Sequence, residues 1–245
     1  HRFGTPQPTP TRLILLLIAG LIAGLLLIEF SSAHIPLSRH YLSWHQLLET
    51  LSIVVSTLIF AVGWNTYRLH RQRNILVVSC AFLGVAIADF SHMLSYHGMP
   101  AFITANSVEK GIDFWLLARY LAALALLLVA WLPWRPATKE AAVNPGPWRL
   151  VCMLTMVMLL VPTHIIILWF PQWLPRTFIE GQGLTPFKVA SEYGVIAIHL
   201  LSIALLARHL RRSSGFDVRL LMGALLAMIM SEVLFTRYSS VTDLY

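Results

Sequence analysis

The segment Ile75–Ala88, ILVVSCAFLGVAIA, carries no charge and runs directly into Asp89–Met99, DFSHMLSYHGM. As a helix, the combined stretch places Asp89, His92 and Tyr96 at spacings i, i+3 and i+7, so one face turns polar before the segment ends. If the helix crosses a bilayer, an aspartate near mid-membrane costs at least ~2.5 kcal/mol, and a polar face at that depth marks a functional site by default. Two questions follow: whether the rest of the chain is a membrane bundle, and whether other helices bring polar groups to the same depth.

Composition answers the first. The chain has 245 residues, of which 57% are hydrophobic and 12% charged, and a mean hydropathy of +0.70. That leaves too little polar surface for a water-soluble globule of this size. Apolar runs of about 18 to 24 residues recur, each long enough to cross the hydrocarbon core as a helix. No β-barrel alternation is present, so the expected class is an all-α polytopic bundle. A polar, Pro-rich tail over residues 1–12 precedes a transmembrane domain over 13–245, with helices near 13–30, 44–67, 75–96, 111–134, 148–170, 188–210 and 217–238. The first apolar run is of spanning length with no small-residue cleavage site close behind it, so it reads as a span rather than a cleaved leader.

The net charge of +7 would suggest nucleic acid in a soluble protein. Here the basic residues sit in loops, and their distribution reports topology instead; no nucleic-acid partner is expected, and the lipid bilayer is. One set of connections holds Arg2, Arg12, Arg68, Arg71, Arg73, Arg135, Lys139, Arg149, Arg208, Arg211, Arg212 and Arg219; the opposite set holds Arg39, Lys110, Arg176, Lys188 and Arg237. Twelve against five puts the amino terminus in the cytoplasm. Seven spans then leave Tyr245 outside, and an eighth helix is expected after the carboxyl end, delivering a soluble domain. Cys80 and Cys152 lie near one membrane face with no pairing or metal spacing and read as small core residues.

Depth answers the second question. From the helix rise, Asp89 and His92 lie about 10 and 6 Å below the outer end of their helix, Arg119 about 12 Å, His164 about 9 Å, Glu192 about 6 Å and Glu232 about 9 Å. His45 stands at the rim of its helix, with Glu49 one turn deeper on the same face. Six of the seven helices thus contribute to one slab in the outer half. Charges there must face the interior and pair, with Arg119 neutralising Asp89 or Glu49. The competing reading is an ion-pair network that only fastens helices. His199 lies deeper, two turns below Glu192 on the same face.

Imidazoles on different helices are how a bundle holds haem. A haem b site would draw on His45, His92, His164 and His199, with Arg119 at a propionate and Tyr96 beside it, and His92 and His164 as the metal ligands. Glu49, Asp89, Glu192 and Glu232 complete the polar network. Copper is the alternative, through His92, Met93, His97 and Met99; a plain small-molecule pocket is another. No nucleophile elbow, His-Glu-x-x-His, Walker loop or zinc spacing is present, so no catalytic residue is expected in this segment. A cytochrome b-like electron-transfer bundle is the alternative of a different class.

His45-x-x-x-Glu49 with Ser52-Ile53 and Phe60-x-x-x-Trp64, then Asp89-x-x-His92-x-x-x-Tyr96-x-Gly98-Met99, Trp115-x-x-x-Arg119-Tyr120, and Ser231-Glu232 with Tyr238, together resemble the third type of the membrane-associated sensor (MASE) domains. The resemblance runs from about His45 to the end of the chain, and the His-Gly-Met turn is its most specific part. It implies a multi-pass sensory module of the bacterial inner membrane, placed ahead of a cytoplasmic output domain in cis such as a diguanylate cyclase, which makes c-di-GMP, or a histidine kinase. A homodimer formed through that output domain is also implied. The family's polar pattern falls on His45, Glu49, Asp89, His92, Tyr96, Arg119 and Glu232, the groups that depth selects independently.

Overall fold

The computed structural model describes residues 41–70, 73–132, 146–208 and 218–235, together with Ala19 and Ala23. The expected tail, the span near 13–30 and the segment after residue 235, including Tyr238, lie outside the described residues. Among the described residues the protein is built from six helices: α1 (Tyr41–His70), α2 (Arg73–Ser95), α3 (Val108–Trp131), α4 (Gly146–Trp169), α5 (Pro186–Ala207) and α6 (Val218–Phe235). Five of them, α1 to α5, are long and apolar enough to cross a membrane. Their starts fall up to three residues ahead of the sequence expectation, since caps and first-turn polar residues belong to a helix without being apolar. Ser107 caps α3 by accepting from the Lys110 amide, and Thr185 caps α5 by accepting from the Lys188 amide, each satisfying an orphan donor.

The centre of the bundle is α2 and α3. The apolar window of α2 is 61% buried and that of α3 50%, against 6% for α1 and 11% for α4. Small residues make this possible: Ala88, Ala118, Ala122 and Val85 form one buried cluster between α2 and α3, where short side chains let helix backbones approach. A second cluster joins α3, α5 and α6 through Leu126, Ala130, Leu206 and Leu225. The outer faces stay apolar, with Leu47, Leu48, Leu51, Val55 and Leu58 of α1 exposed, as a lipid-facing surface requires.

α4 runs unbroken through Pro162. The Thr163 hydroxyl turns back onto the carbonyls of Leu159 and Leu160 at 2.7 and 3.0 Å, so polar groups beside the proline are satisfied locally, as in other proline-bearing spans. The α2–α3 connection is an ordered turn, as its Gly and Pro content predicts. Gly98 sits at φ 94° and Ile103 at 61°, and Lys110 Nζ donates to the carbonyls of Phe102 and Thr104 and to Asn106 Oδ1 at 2.6, 3.1 and 3.1 Å. The α4–α5 connection holds a short helical turn, Pro171–Trp173, and a hairpin that the sequence did not suggest, β1 (Phe178–Ile179) antiparallel to β2 (Gly183–Leu184). Glycines at φ 78° and 86°, Gly181 and Gly183, supply the left-handed backbone of its tip.

Candidate functional site

The polar slab resolves into two clusters that share one guanidinium. On α1, His45, Glu49 and Ser52 follow i, i+4, i+7 spacing and face α2, which presents Asp89, His92 and Tyr96 on its own polar face. Glu49 Oε1 lies 4.0 Å from His45 Nε2 and 3.9 Å from His92 Nε2. His45 packs 4.1 Å from the Tyr96 ring centroid and 5.4 Å from that of His92. One ligand atom from each of His45, Glu49 and His92 falls within 4.8 Å of the others.

His92 is held from behind. Its Nδ1 lies 2.7 Å from the Gly111 carbonyl oxygen, so Nδ1 carries the proton and donates it, leaving the Nε2 lone pair turned toward Glu49. That arrangement, a backbone carbonyl fixing the tautomer of an imidazole, is the usual support behind a metal-binding histidine. The start of α3 packs directly on the α2 terminus: a Cβ at Gly111 would stand in ordinary contact with the Ser95 carbonyl oxygen at 3.8 Å and with His92 Nδ1 at 3.9 Å.

Asp89, fully buried, lies one turn deeper. Ser52 Oγ donates to its Oδ2 at 3.2 Å and Arg119 Nη2 to its Oδ1 at 3.4 Å. The pairing of Arg119 with Asp89 is the first of the two partners that sequence depth allowed. Arg119 also lies close enough to act electrostatically on Glu49 and His92 on one side and on His199 and Glu232 on the other. It is the common neighbour of both clusters.

The second cluster lies between α3, α5 and α6. Lys188 Nζ pairs with Glu192 Oε1 and stands 5.1 Å from the Trp115 ring, while Glu232 of α6 and His199 of α5 are both buried. Tyr120 Oη donates to the Ser191 carbonyl at 3.0 Å and packs over Gly194, whose missing Cβ would lie 2.9 Å from that hydroxyl. Lys188 is the residue that sequence reasoning missed. Placed from sequence at the start of its helix and counted there only among the outer basic residues, it is buried; its i, i+4 spacing to Glu192 was the available signal for their pairing.

His164 belongs to neither cluster. Its Nε2 meets Ser91 Oγ at 3.0 Å and its Nδ1 the Leu160 carbonyl at 2.8 Å, and its ring lies 4.9 Å from that of Phe114, so both nitrogens are engaged in hydrogen bonds. Met93, from the copper reading, accepts a hydrogen bond from Thr50 Oγ1 at 3.7 Å, and His97 is exposed. Cys80 and Cys152, read from sequence as small core residues, share one packed group across α2 and α4, where Cys152 lies against the buried cluster of Tyr67, Leu76 and Cys80.

A family model described as a membrane-associated sensor domain, MASE3, matches residues 37–245. No curated protein and no solved structure matches the chain.

Proposed function

We propose that this chain, which belongs to the MASE3 family of membrane-associated sensor domains, senses through a divalent transition-metal ion held by His45, Glu49 and His92. The single observation that carries this reading is the convergence of one ligand atom from each of the three within 4.8 Å, with the Gly111 carbonyl fixing the tautomer of His92. Two imidazoles and one carboxylate suit zinc or copper, and copper binds the tighter of the two to such a set. Ligands held at ~2.0–2.2 Å from one ion stand no more than about 4.4 Å apart, so binding draws His45 of α1 toward His92 of α2. That difference between bound and free arrangements is what lets an ion bias helix packing.

The wider architecture completes the proposal. The domain sits in the bacterial inner membrane with its amino terminus in the cytoplasm and seven spans, and an eighth span delivers an output domain in cis, a diguanylate cyclase or a histidine kinase, which forms a homodimer. Haem b is the competing cofactor, but it asks for free imidazole nitrogens facing one another, and both nitrogens of His164 are engaged.

Elemental analysis of the purified protein, followed by equilibrium dialysis against zinc and copper, tests the reading. One ion per chain is expected, falling below a tenth of that in His92→Ala, as roughly expected for loss of a whole ligand when an outer-shell partner alone costs about 10–100-fold. Failure to take up either ion overturns it. A Soret band in the visible spectrum would instead support haem, and with it the electron-transfer alternative if no output domain follows.

A further inference from the structure

We propose that Cys80 and Cys152 form a reversible disulfide, giving the domain a second, oxidant-driven input at the end of α2 opposite the His45–Glu49–His92 cluster. Packing brings Cys152 of α4 against the group that buries Cys80 of α2, and both cysteines are free. Cys80 is buried with Tyr67 and Leu76, and Trp64, Cys152 and Met156 pack against that group.

The helix faces are matched for close approach. Gly84 follows Cys80 by one turn on α2, and Met156 follows Cys152 by one turn on α4. Met156 Sδ lies 3.2 Å from where a Gly84 Cβ would be, so the absent side chain lets the two helices come together beside the thiols. Arg149 stands one turn before Cys152, stacked 3.9 Å from the Trp64 ring centroid with its Nη2 donating to the Trp64 carbonyl at 3.0 Å.

Cys152 is the more exposed of the two and takes the first step with a membrane-permeant peroxide. Its thiolate attacks one oxygen of hydrogen peroxide, the O–O bond breaks, hydroxide leaves and is protonated to water, and Cys152 becomes a sulfenic acid. The Cys80 thiol then attacks that sulfur; the S–S bond forms, the S–O bond breaks, and the hydroxyl departs with the Cys80 proton as a second water. Two thiols thus lose two electrons and two protons to one peroxide, and a dithiol reductant reverses the change. A disulfide facing a reducing cytosol is transient and suited to signalling rather than to structure. Because α2 carries both Cys80 and His92, about 18 Å apart by the helix rise, a covalent tie to α4 acts on the same helix that the outer cluster grips.

Peptide mapping by mass spectrometry of the full-length protein, treated with hydrogen peroxide in its native membranes and blocked with N-ethylmaleimide, decides the matter. The expected product is an intramolecular Cys80–Cys152 linked peptide in most chains, lost on reduction, while Cys80→Ser leaves Cys152 as a sulfenic acid trapped by dimedone. Overturning results are a Cys152 that stays reactive to maleimide with no linked peptide, or a cross-link joining two chains. The wild-type measurement stands alone should the variant fail to fold.

Discussion

Glu49 holds the outer cluster together at the residue scale, because one carboxylate oxygen faces the Nε2 atoms of both His45 and His92. Glu49→Gln keeps the shape and removes the charge, so it is expected to weaken metal uptake more than the roughly 10–100-fold typical of an outer-shell loss, measured by competition dialysis, with little effect on folding. Asp89 and Arg119 differ in kind. Asp89 has no exposure and depends on Arg119 and Ser52, whereas Arg119 also neighbours Glu49, Glu232 and His199. Removing one member of a buried pair costs about 3–5 kcal/mol because the other charge is left unpaired. Arg119→Met is therefore expected to lower the thermal midpoint in detergent more than Asp89→Asn, and the double variant Asp89→Asn with Arg119→Met to recover part of the loss. Equal effects of the two single changes would refute the shared role of Arg119.

At the scale of elements, the α1–α2 contact depends on a glycine. A Cβ at Gly63 would lie 2.0 Å from Ser79 Oγ and 3.2 Å from Ser79 Cβ, and that hydroxyl is already engaged with the Ile75 carbonyl at 2.6 Å. Gly63→Ala must push Ser79 off that bond or part the helices, at about 1–3 kcal/mol. Combining it with Ser79→Gly, which removes both clashing atoms, is expected to restore most of the melting temperature. Because α1 carries His45 and Glu49 while α2 carries His92, Gly63→Ala alone is also expected to weaken metal uptake, although it lies far from the site along the helix. The apolar spacing made α1 and α2 legible as helices, but not that they meet at Gly63 and Ser79; which faces touch depends on side chains from both.

The whole molecule is a bundle whose interior is α2 and α3 and whose polar groups gather toward the turns that include the α4–α5 hairpin. The proposed orientation, with the amino terminus cytoplasmic, would turn that hairpin to the periplasm. Gln182→Cys, in a Cys80→Ser and Cys152→Ser background, is expected to react with a membrane-impermeant maleimide in intact cells; labelling only after lysis would reverse the topology. The class, the existence and approximate bounds of the described helices, and the identity of the polar residues followed from the sequence alone, because hydrophobicity over a span and charge at depth are local properties read along one chain. The partition of those residues did not. That Glu49 faces two imidazoles, that Arg119 serves two clusters, that His164 turns to Ser91, that Lys188 is buried against Glu192, and that two distant cysteines meet were decided by tertiary structure. Each depends on the rotation of one helix about its axis relative to another, which is set by the close packing of both faces and which no single helix encodes.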